Sequence, residues 1–367
     1  MFAMEPASRS LSSSPAKSHG RYFGLDIARA SAITMVLIVH GITVAGLPLF
    51  GEMFTGVDLF FVLSGFLVGR IYFVGTAREQ FAVTDFWRAR WLRTIPPYFA
   101  MLAGFWLCAR PLPAYYWLFA QNYIGIVDFV PSWSLCVEEH FYLALPILGF
   151  AITRMFGRSS FVYLLPIAFF IPLGLRAATL WATGTMPTDW QYWSQFHCEG
   201  LVLGVWLAYL NVDRAQLFIW IRKPALWLTP LAPLMLAFLP LWKERPLSAN
   251  ITLFTLYAIG YGAWVRALYD VGDWGKTTVG TIAQNSIRGL ALFSYSLYLT
   301  HTNIAISTRL HIEQMHRGVA KTLFVLGVEL IGGAAFYLAC ERPAIAIRDW
   351  LRARRFQKTS GENRDRA

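Results

Sequence analysis

The stretch ARASAITMVLIVHG, Ala28 to Gly41, decides the fold. Almost every side chain in it suits a lipid tail, and it sits in a run long enough to cross a bilayer, which takes about 20 apolar residues. Two residues do not suit lipid: Arg29 and His40, eleven positions apart. At about 100° per residue, eleven positions close to nearly three full turns, so both side chains share one helix face about 16 Å apart along the axis. Asp26 falls within about 40° of the same line. An ionisable group at membrane depth costs at least about 2.5 kcal/mol unless it is paired or wetted. This face is therefore expected to look into a polar cavity. Snorkelling of Arg29 towards Asp26, and a hydrogen bond from His40 to a neighbouring helix, are the structural alternatives for the two residues.

The rest of the chain has the same character. Of 367 residues, 56% are hydrophobic and 14% charged, with a mean hydropathy of +0.46. A soluble domain carries nearer about 25% charged residues, so a soluble fold is excluded. Aromatics reach 16%, including 15 Trp and 28 Phe, as interfacial belts require. The formal charge of +11 matches the Lys and Arg excess of cytoplasmic loops. No basic face on a soluble module points to nucleic acid. Cys108, Cys136, Cys198 and Cys340 form no C-x-x-C pair and read as buried thiols. No metal-ligand spacing such as H-E-x-x-H is present.

Read for apolar runs of spanning length, the chain is all-α: a polytopic transmembrane helical bundle of about ten spans, near 25–47, 57–75, 93–109, 135–154, 160–182, 198–212, 225–242, 251–269, 289–307 and 321–340. The short, partly polar stretch 114–127 reads as interfacial or re-entrant. Arg and Lys precede the first span, separate the second from the third and the sixth from the seventh, and follow the last. The loops 48–56 and 183–197 carry Glu52 and Asp189 and no Lys or Arg. The charge bias thus places both termini in the cytoplasm, with Arg309 and Arg317 as exceptions on the opposite side. Residues 1–20 are expected as a disordered tail rather than a cleavable signal peptide, 21–345 as the membrane domain, and 346–367 as a basic tail.

Four further stretches carry chemistry. GVDLFFVLSGFLVGR (Gly56–Arg70) has Asp58 at its start and a small Ser64–Gly65 step suited to close helix packing. FWRARWLRTIPPY (Phe86–Tyr98) gathers Arg88, Arg90 and Arg93 just before Pro96–Pro97, which read as the first turn of a helix. The guanidiniums suit a phosphate clamp or simply fix topology. PSWSLCVEEHFYLALP (Pro131–Pro146) sets Glu138, Glu139 and His140 just inside an apolar helix, read as its outer end, where a carboxylate is costly. Successive residues face about 100° apart, so at most one carboxylate shares a cavity with His40. FHCEGLVLG (Phe196–Gly204) places His197 and Glu199 at the outer start of a helix, as an interfacial pair or lining an acceptor site, and FSYSLYLTH (Phe293–His301) places His301 as polar packing or as cavity lining. In CERP (Cys340–Pro343), Glu341–Arg342 reads most simply as an interfacial ion pair.

In sequence order, LDIARASAITMVLIVH, FFVLSGFL, RARWLRTIPPY, SWSLCVEEHFYLALP, EGLVLGVWLA, SYSLYLTH and ERP resemble the acyltransferase 3 family of integral membrane acyltransferases, which includes O-antigen and Nod-factor acetylases. The resemblance runs over roughly residues 21–345. Arg29 and His40 meet the family's basic-x10-His motif; Trp133, Ser134, Leu135, Glu138 and Glu139 meet WSLxxEE. Cys136, His140 and Thr300 depart from the usual residues at their positions. The resemblance implies transfer of an acyl group, commonly acetyl, from acyl-CoA to a hydroxyl of a carbohydrate or related acceptor, by a multi-pass protein of a bacterial cell membrane. It also implies the roles. His40 is the general base or, alternatively, an acyl-accepting nucleophile. Glu138, or Glu139, orients its ring. Arg29, Arg88, Arg90 and Arg93 hold the donor phosphates. Trp133, Ser134, His197, Glu199 and His301 lie towards the acceptor. The rival reading is a transporter or flippase with a buried His/Arg/Glu path, although no inverted repeat is visible.

Overall fold

The computed structural model describes residues 22–44, 55–238, 247–275, 277–311 and 318–351. These residues are helical, with no strand among them. In chain order they form α1 (Phe23–Val44), α2 (Gly56–Ala77) and α3 (Val83–Leu107), then a 3-10 turn at Ala114–Leu118 and α4 (Gln121–Ile124). Next come α5 (Ser132–Phe156) and α6 (Phe161–Thr183), 3-10 turns at Trp190–Tyr192 and Ser194–Phe196, and α7 (Glu199–Asp213). The second half holds α8 (Ala215–Trp220), α9 (Arg222–Leu228), α10 (Leu231–Phe238), α11 (Leu247–Leu268), α12 (Thr278–His311) and α13 (Val319–Phe336). A π-helical turn, Tyr337–Glu341, follows α13, and helix resumes through Leu351.

Six stretches among the described residues are long and apolar enough to cross a membrane: Phe23–Gly41, Gly56–Ala77, Ser132–Phe156, Arg158–Thr183, Ile251–Leu268 and Val319–Leu351. The other expected spans correspond to α3, α7, the α9–α10 pair and α12, which are helical but fall outside that set. The segment expected near 225–242 is broken because Pro230 separates α9 from α10; a proline removes a ladder donor and clashes with the preceding turn. The stretch read as interfacial, 114–127, contains the short turn and α4.

Two expectations are corrected. Pro96 and Pro97 do not open a helix; they lie inside α3, which starts at Val83 and carries the arginines on its own first turns. Residues 346–351, expected as tail, continue the last helix. The tail 1–20, the loop 48–54, Arg317 and the basic residues from Arg352 onwards lie outside the described residues.

Lipid tails are as apolar as leucine, so close packing must hold the bundle together. The central helix is α2, packed against α7 and flanked by α1 and α11. Two thirds of its spanning window (67%) is buried, against 28% for that of α6, which exposes Tyr163, Ile167 and Trp181 outward. Glycines set the α2–α7 distance. A Cβ on Gly65 would run into the Leu201 carbonyl, and one on Gly204 into the Val62 carbonyl and the Phe66 amide. No side-chain rotation relieves a clash with backbone. Gly65→Val is therefore expected to destabilise by at least about 3 kcal/mol, read as a fall in melting temperature in detergent. Gly104 of α3 is the contrast, because a methyl group there would meet nothing within 4 Å. Gly104→Ala is expected to be neutral or to gain up to about 1 kcal/mol from helix propensity.

Candidate active site

Among the described residues, two cavities of different character lie between the helices. The larger, about 470 Å³, is lined by His40 of α1, His301 of α12, His197, Trp133 and a largely aromatic wall; we call it the histidine cavity. The smaller, about 90 Å³, is lined by Arg29 of α1, Arg90 and Arg93 of α3, Ser64 of α2 and Glu138 of α5; we call it the arginine cavity. Val57 and Tyr298 line both. The helical spacing of Arg29 and His40 thus delivers one residue to each cavity.

In the histidine cavity, His40 is half-buried. Its Nδ1 lies 2.9 Å from the Val36 carbonyl. A carbonyl only accepts, so Nδ1 carries the proton and Nε2 keeps its lone pair. The ring of His301 meets that of His40 edge-on, with centroids 4.5 Å apart. His301 repeats the arrangement: Nδ1–H donates to the Tyr298 carbonyl at 2.7 Å, and Nε2 is buried without a hydrogen-bond partner among the described residues. A backbone carbonyl, not a carboxylate, fixes each imidazole.

The carboxylates of α5 go elsewhere. Glu138 stands six residues into α5, about 9 Å along the axis, and reaches the arginine cavity rather than His40. Its Oε2 accepts from the Tyr142 hydroxyl at 2.9 Å. Tyr142 also receives Arg90 at 2.7 Å, with the guanidinium 4.4 Å from its ring centroid, and is hydrogen-bonded to Ser64. Glu139 accepts from Thr94 at 2.8 Å. The expectation that either residue orients the His40 ring is corrected: Glu139 ties α5 to α3 through Thr94, and Glu138 holds the Tyr142 hydroxyl that receives Arg90. The arginine cluster divides as well. Arg90 and Arg93 face the cavity, while Arg88 is exposed, 3.9 Å from Asp85 on the same helix.

Of the remaining expected residues, Trp133 lines the histidine cavity and Ser134 the arginine cavity. His197 stacks between Trp133 and Phe254. Its Nδ1 donates to the Gln191 carbonyl at 2.8 Å, and its Nε2 lies 2.8 Å from Asp58 Oδ1. Glu199 does not line the cavity. It forms a buried ion pair with Arg176 of α6 at 2.8 Å. His140 bonds Ser194 at 2.9 Å, and no group of three metal-ligating residue types that could hold an ion occurs among the described residues. Glu341, expected in an interfacial ion pair, is buried in the π-helical turn and accepts from Ser296 at 2.6 Å. Such turns interrupt a helix's own bonding and recur at functional sites.

Sequence reasoning misses four residues. Asp58 reads as a simple interfacial charge. Arg176 is the one charged residue of α6, and that isolation is its signal. Glu329 is the one acidic residue of α13; it is fully buried, with neither carboxylate oxygen hydrogen-bonded among the described residues. Tyr298 carries no signal, because a tyrosine in SYSLYL reads as packing until the cavities are seen.

Comparison with known proteins finds relatives over part of the chain. The chain is 26% identical over 211 residues to the O-acetyltransferase OatA of Staphylococcus aureus, covering 51% of this chain and 34% of that protein. It is 29% identical over 186 residues to the peptidoglycan O-acetyltransferase OatA of Listeria monocytogenes (43% and 29%). With the putative peptidoglycan O-acetyltransferase YrhL of Bacillus subtilis it shares 28% over 218 residues (52% and 33%). The match thus spans about a third of the length of these curated relatives. No solved structure matches. The family model for acyltransferase 3, an acyltransferase domain, matches residues 22–328, and the chain belongs to that family.

Proposed function

We propose that this chain is a membrane-embedded O-acyltransferase that moves an acetyl group from acetyl-CoA, bound at the arginine cavity, to a carbohydrate hydroxyl presented at the histidine cavity. One observation carries the reading. A small cation-rich cavity and a larger aromatic one, which holds two imidazoles tied at Nδ1 to backbone carbonyls, share Val57 and Tyr298 in their walls. The guanidiniums of Arg29, Arg90 and Arg93 suit the phosphates of coenzyme A, whose thin pantetheine arm reaches the junction. Aromatic walls suit sugar rings, and the names of the Listeria and Bacillus relatives support a glycan acceptor.

In this mechanism His40 Nε2 takes the proton from the acceptor hydroxyl as its oxygen attacks the thioester carbonyl. The tetrahedral adduct then breaks its C–S bond. The departing thiolate takes the proton back from the imidazolium, leaving an O-acetyl ester and free coenzyme A. The histidine cavity faces the outer side of a cell membrane in the topology the loop charges favour, with about ten crossing segments and both termini in the cytoplasm.

The test is purified protein in detergent with radiolabelled acetyl-CoA and soluble peptidoglycan fragments. Transfer without a membrane gradient supports the enzyme. No acetyl-CoA turnover, with movement of either compound into proteoliposomes, favours the carrier. The same assay separates the arginines. Arg90→Ala and Arg93→Ala are each expected to raise the acetyl-CoA KM about tenfold or more, as loss of a hydrogen bond to a charged group does. Exposed Arg88→Ala is expected to change it less than about twofold. Equal effects from all three would return the cluster to topology.

A further inference from the structure

Tyr298 is the residue to which both halves of the site converge. It is buried and, with Val57, lines both cavities, so it stands where the arginine side adjoins the side of His40. Its backbone carbonyl holds His301 Nδ1–H. Its ring centroid is 5.6 Å from that of His301, which lies 4.5 Å from that of His40. The same residue therefore borders both cavities and sets the second imidazole against the first.

Its hydroxyl is a donor with little to lose. It lies 3.1 Å from the Pro131 carbonyl and 2.6 Å from Ser134 Oγ, and Ser134 Oγ is itself 3.3 Å from the same carbonyl. Pro131 is the N-cap of α5, and an N-cap carbonyl already accepts the first amide of its helix. Two hydroxyls thus crowd an acceptor that is satisfied without them. The phenol can turn to a better acceptor while Ser134 keeps hold of its oxygen.

Acyl transfer creates such an acceptor. When the alcohol attacks, the thioester carbonyl oxygen takes on negative charge, and a donor preorganised in a water-poor site is worth about 10²–10³ in kcat. We infer that Tyr298 closes the passage between the two cavities and donates its phenolic O–H to the thioester carbonyl oxygen as that charge develops, with Ser134 as the positioning residue. This rests on the acyltransferase reading. It adds no bond-making step: the phenol proton stays on its oxygen, and the attacking hydroxyl still loses its proton to His40.

The test uses the full-length protein in detergent with acetyl-CoA, following turnover to a soluble peptidoglycan fragment or to water. Tyr298→Phe keeps the ring and is expected to lower kcat about 10²–10³-fold, leaving the acetyl-CoA KM within twofold. Ser134→Ala is expected to give a smaller loss of the same kind. Isotope-edited infrared spectra of bound ¹³C-acetyl-CoA supply a readout that a purely structural role would leave alone: the carbonyl stretch should lie lower in wild type than in Tyr298→Phe. Wild-type kcat in Tyr298→Phe, or identical carbonyl frequencies, overturns the inference while leaving the acyltransferase reading intact. If Tyr298→Phe does not fold, the wild-type spectrum decides, since a bound carbonyl stretch as high as in an apolar solvent also overturns it. Absence of any acetyl-CoA turnover by wild type sinks both together.

Discussion

His40→Ala is expected to lower acyl transfer by about 10²–10⁴-fold, the usual contribution of a positioned general base, while the protein still inserts and purifies. The reasoning is local. The Val36 carbonyl holds Nδ1–H at 2.9 Å, which leaves the Nε2 lone pair as the group able to take a proton from an acceptor in the cavity. Alanine removes that group and leaves helix α1 intact, since alanine is the best helix former. His301 is the competing base. It presents a free Nε2 in the same cavity, but it is fully buried, whereas His40 is half-open to the cavity. His301→Ala is therefore expected to cost less, through loss of the ring that His40 rests against. Wild-type rates in His40→Ala, combined with inactivity in His301→Ala, would exchange the two roles. Mass spectrometry of rapidly quenched enzyme addresses the nucleophilic alternative: the base mechanism leaves no acetyl adduct on His40, and an adduct that forms and decays at the rate of turnover would replace it.

What is legible in the sequence follows from periodicity and from the cost of charge in lipid. Helix geometry alone places Arg29 and His40 on one face, and the structure gives each a cavity. The uncharged interior of α6, broken by Arg176, carries an equally readable signal, but a single arginine does not interrupt an apolar run of that length and so hides within the span. Partners across helices are not readable. Glu138 and Glu139 stand next to each other in the chain, yet one bonds Tyr142 of its own helix and the other Thr94 of α3; nothing in their spacing separates that outcome from contact with His40. Nor does sequence spacing divide Arg88 from Arg90 and Arg93 without the position of α3's start. Its prolines mislead on that point, since Pro96 and Pro97 sit mid-helix where a soluble helix would break but a membrane helix tolerates them through neighbouring polar groups.

The largest structural effect is expected at the Arg176–Glu199 pair. The two side chains are 0% and 1% exposed, with nitrogen and oxygen 2.8 Å apart. Arg176 spends its other donors on the Ile251 carbonyl at 2.8 Å, the Thr255 hydroxyl at 2.9 Å and the Phe196 carbonyl. One guanidinium thus joins α6, α7, α11 and the turn that carries His197. Glu199 gains further from its place as the first residue of α7, where the helix dipole favours a negative charge. Glu199→Gln leaves a buried cation without its counter-charge and is expected to cost about 3–5 kcal/mol, read as a drop in melting temperature in detergent. Arg176→Met has the converse effect. The double variant Arg176→Met with Glu199→Leu removes both charges together and is expected to recover most of that stability, because desolvating a buried pair offsets much of its attraction. It should not recover function. With the Phe196 carbonyl released, the neighbouring His197 loses its backbone anchor at the edge of the histidine cavity, so the acceptor KM should rise while the acetyl-CoA KM stays near wild type. A double variant as unstable as the singles would mean that the hydrogen bonds to Ile251, Phe196 and Thr255, rather than the ion pair, hold these helices together.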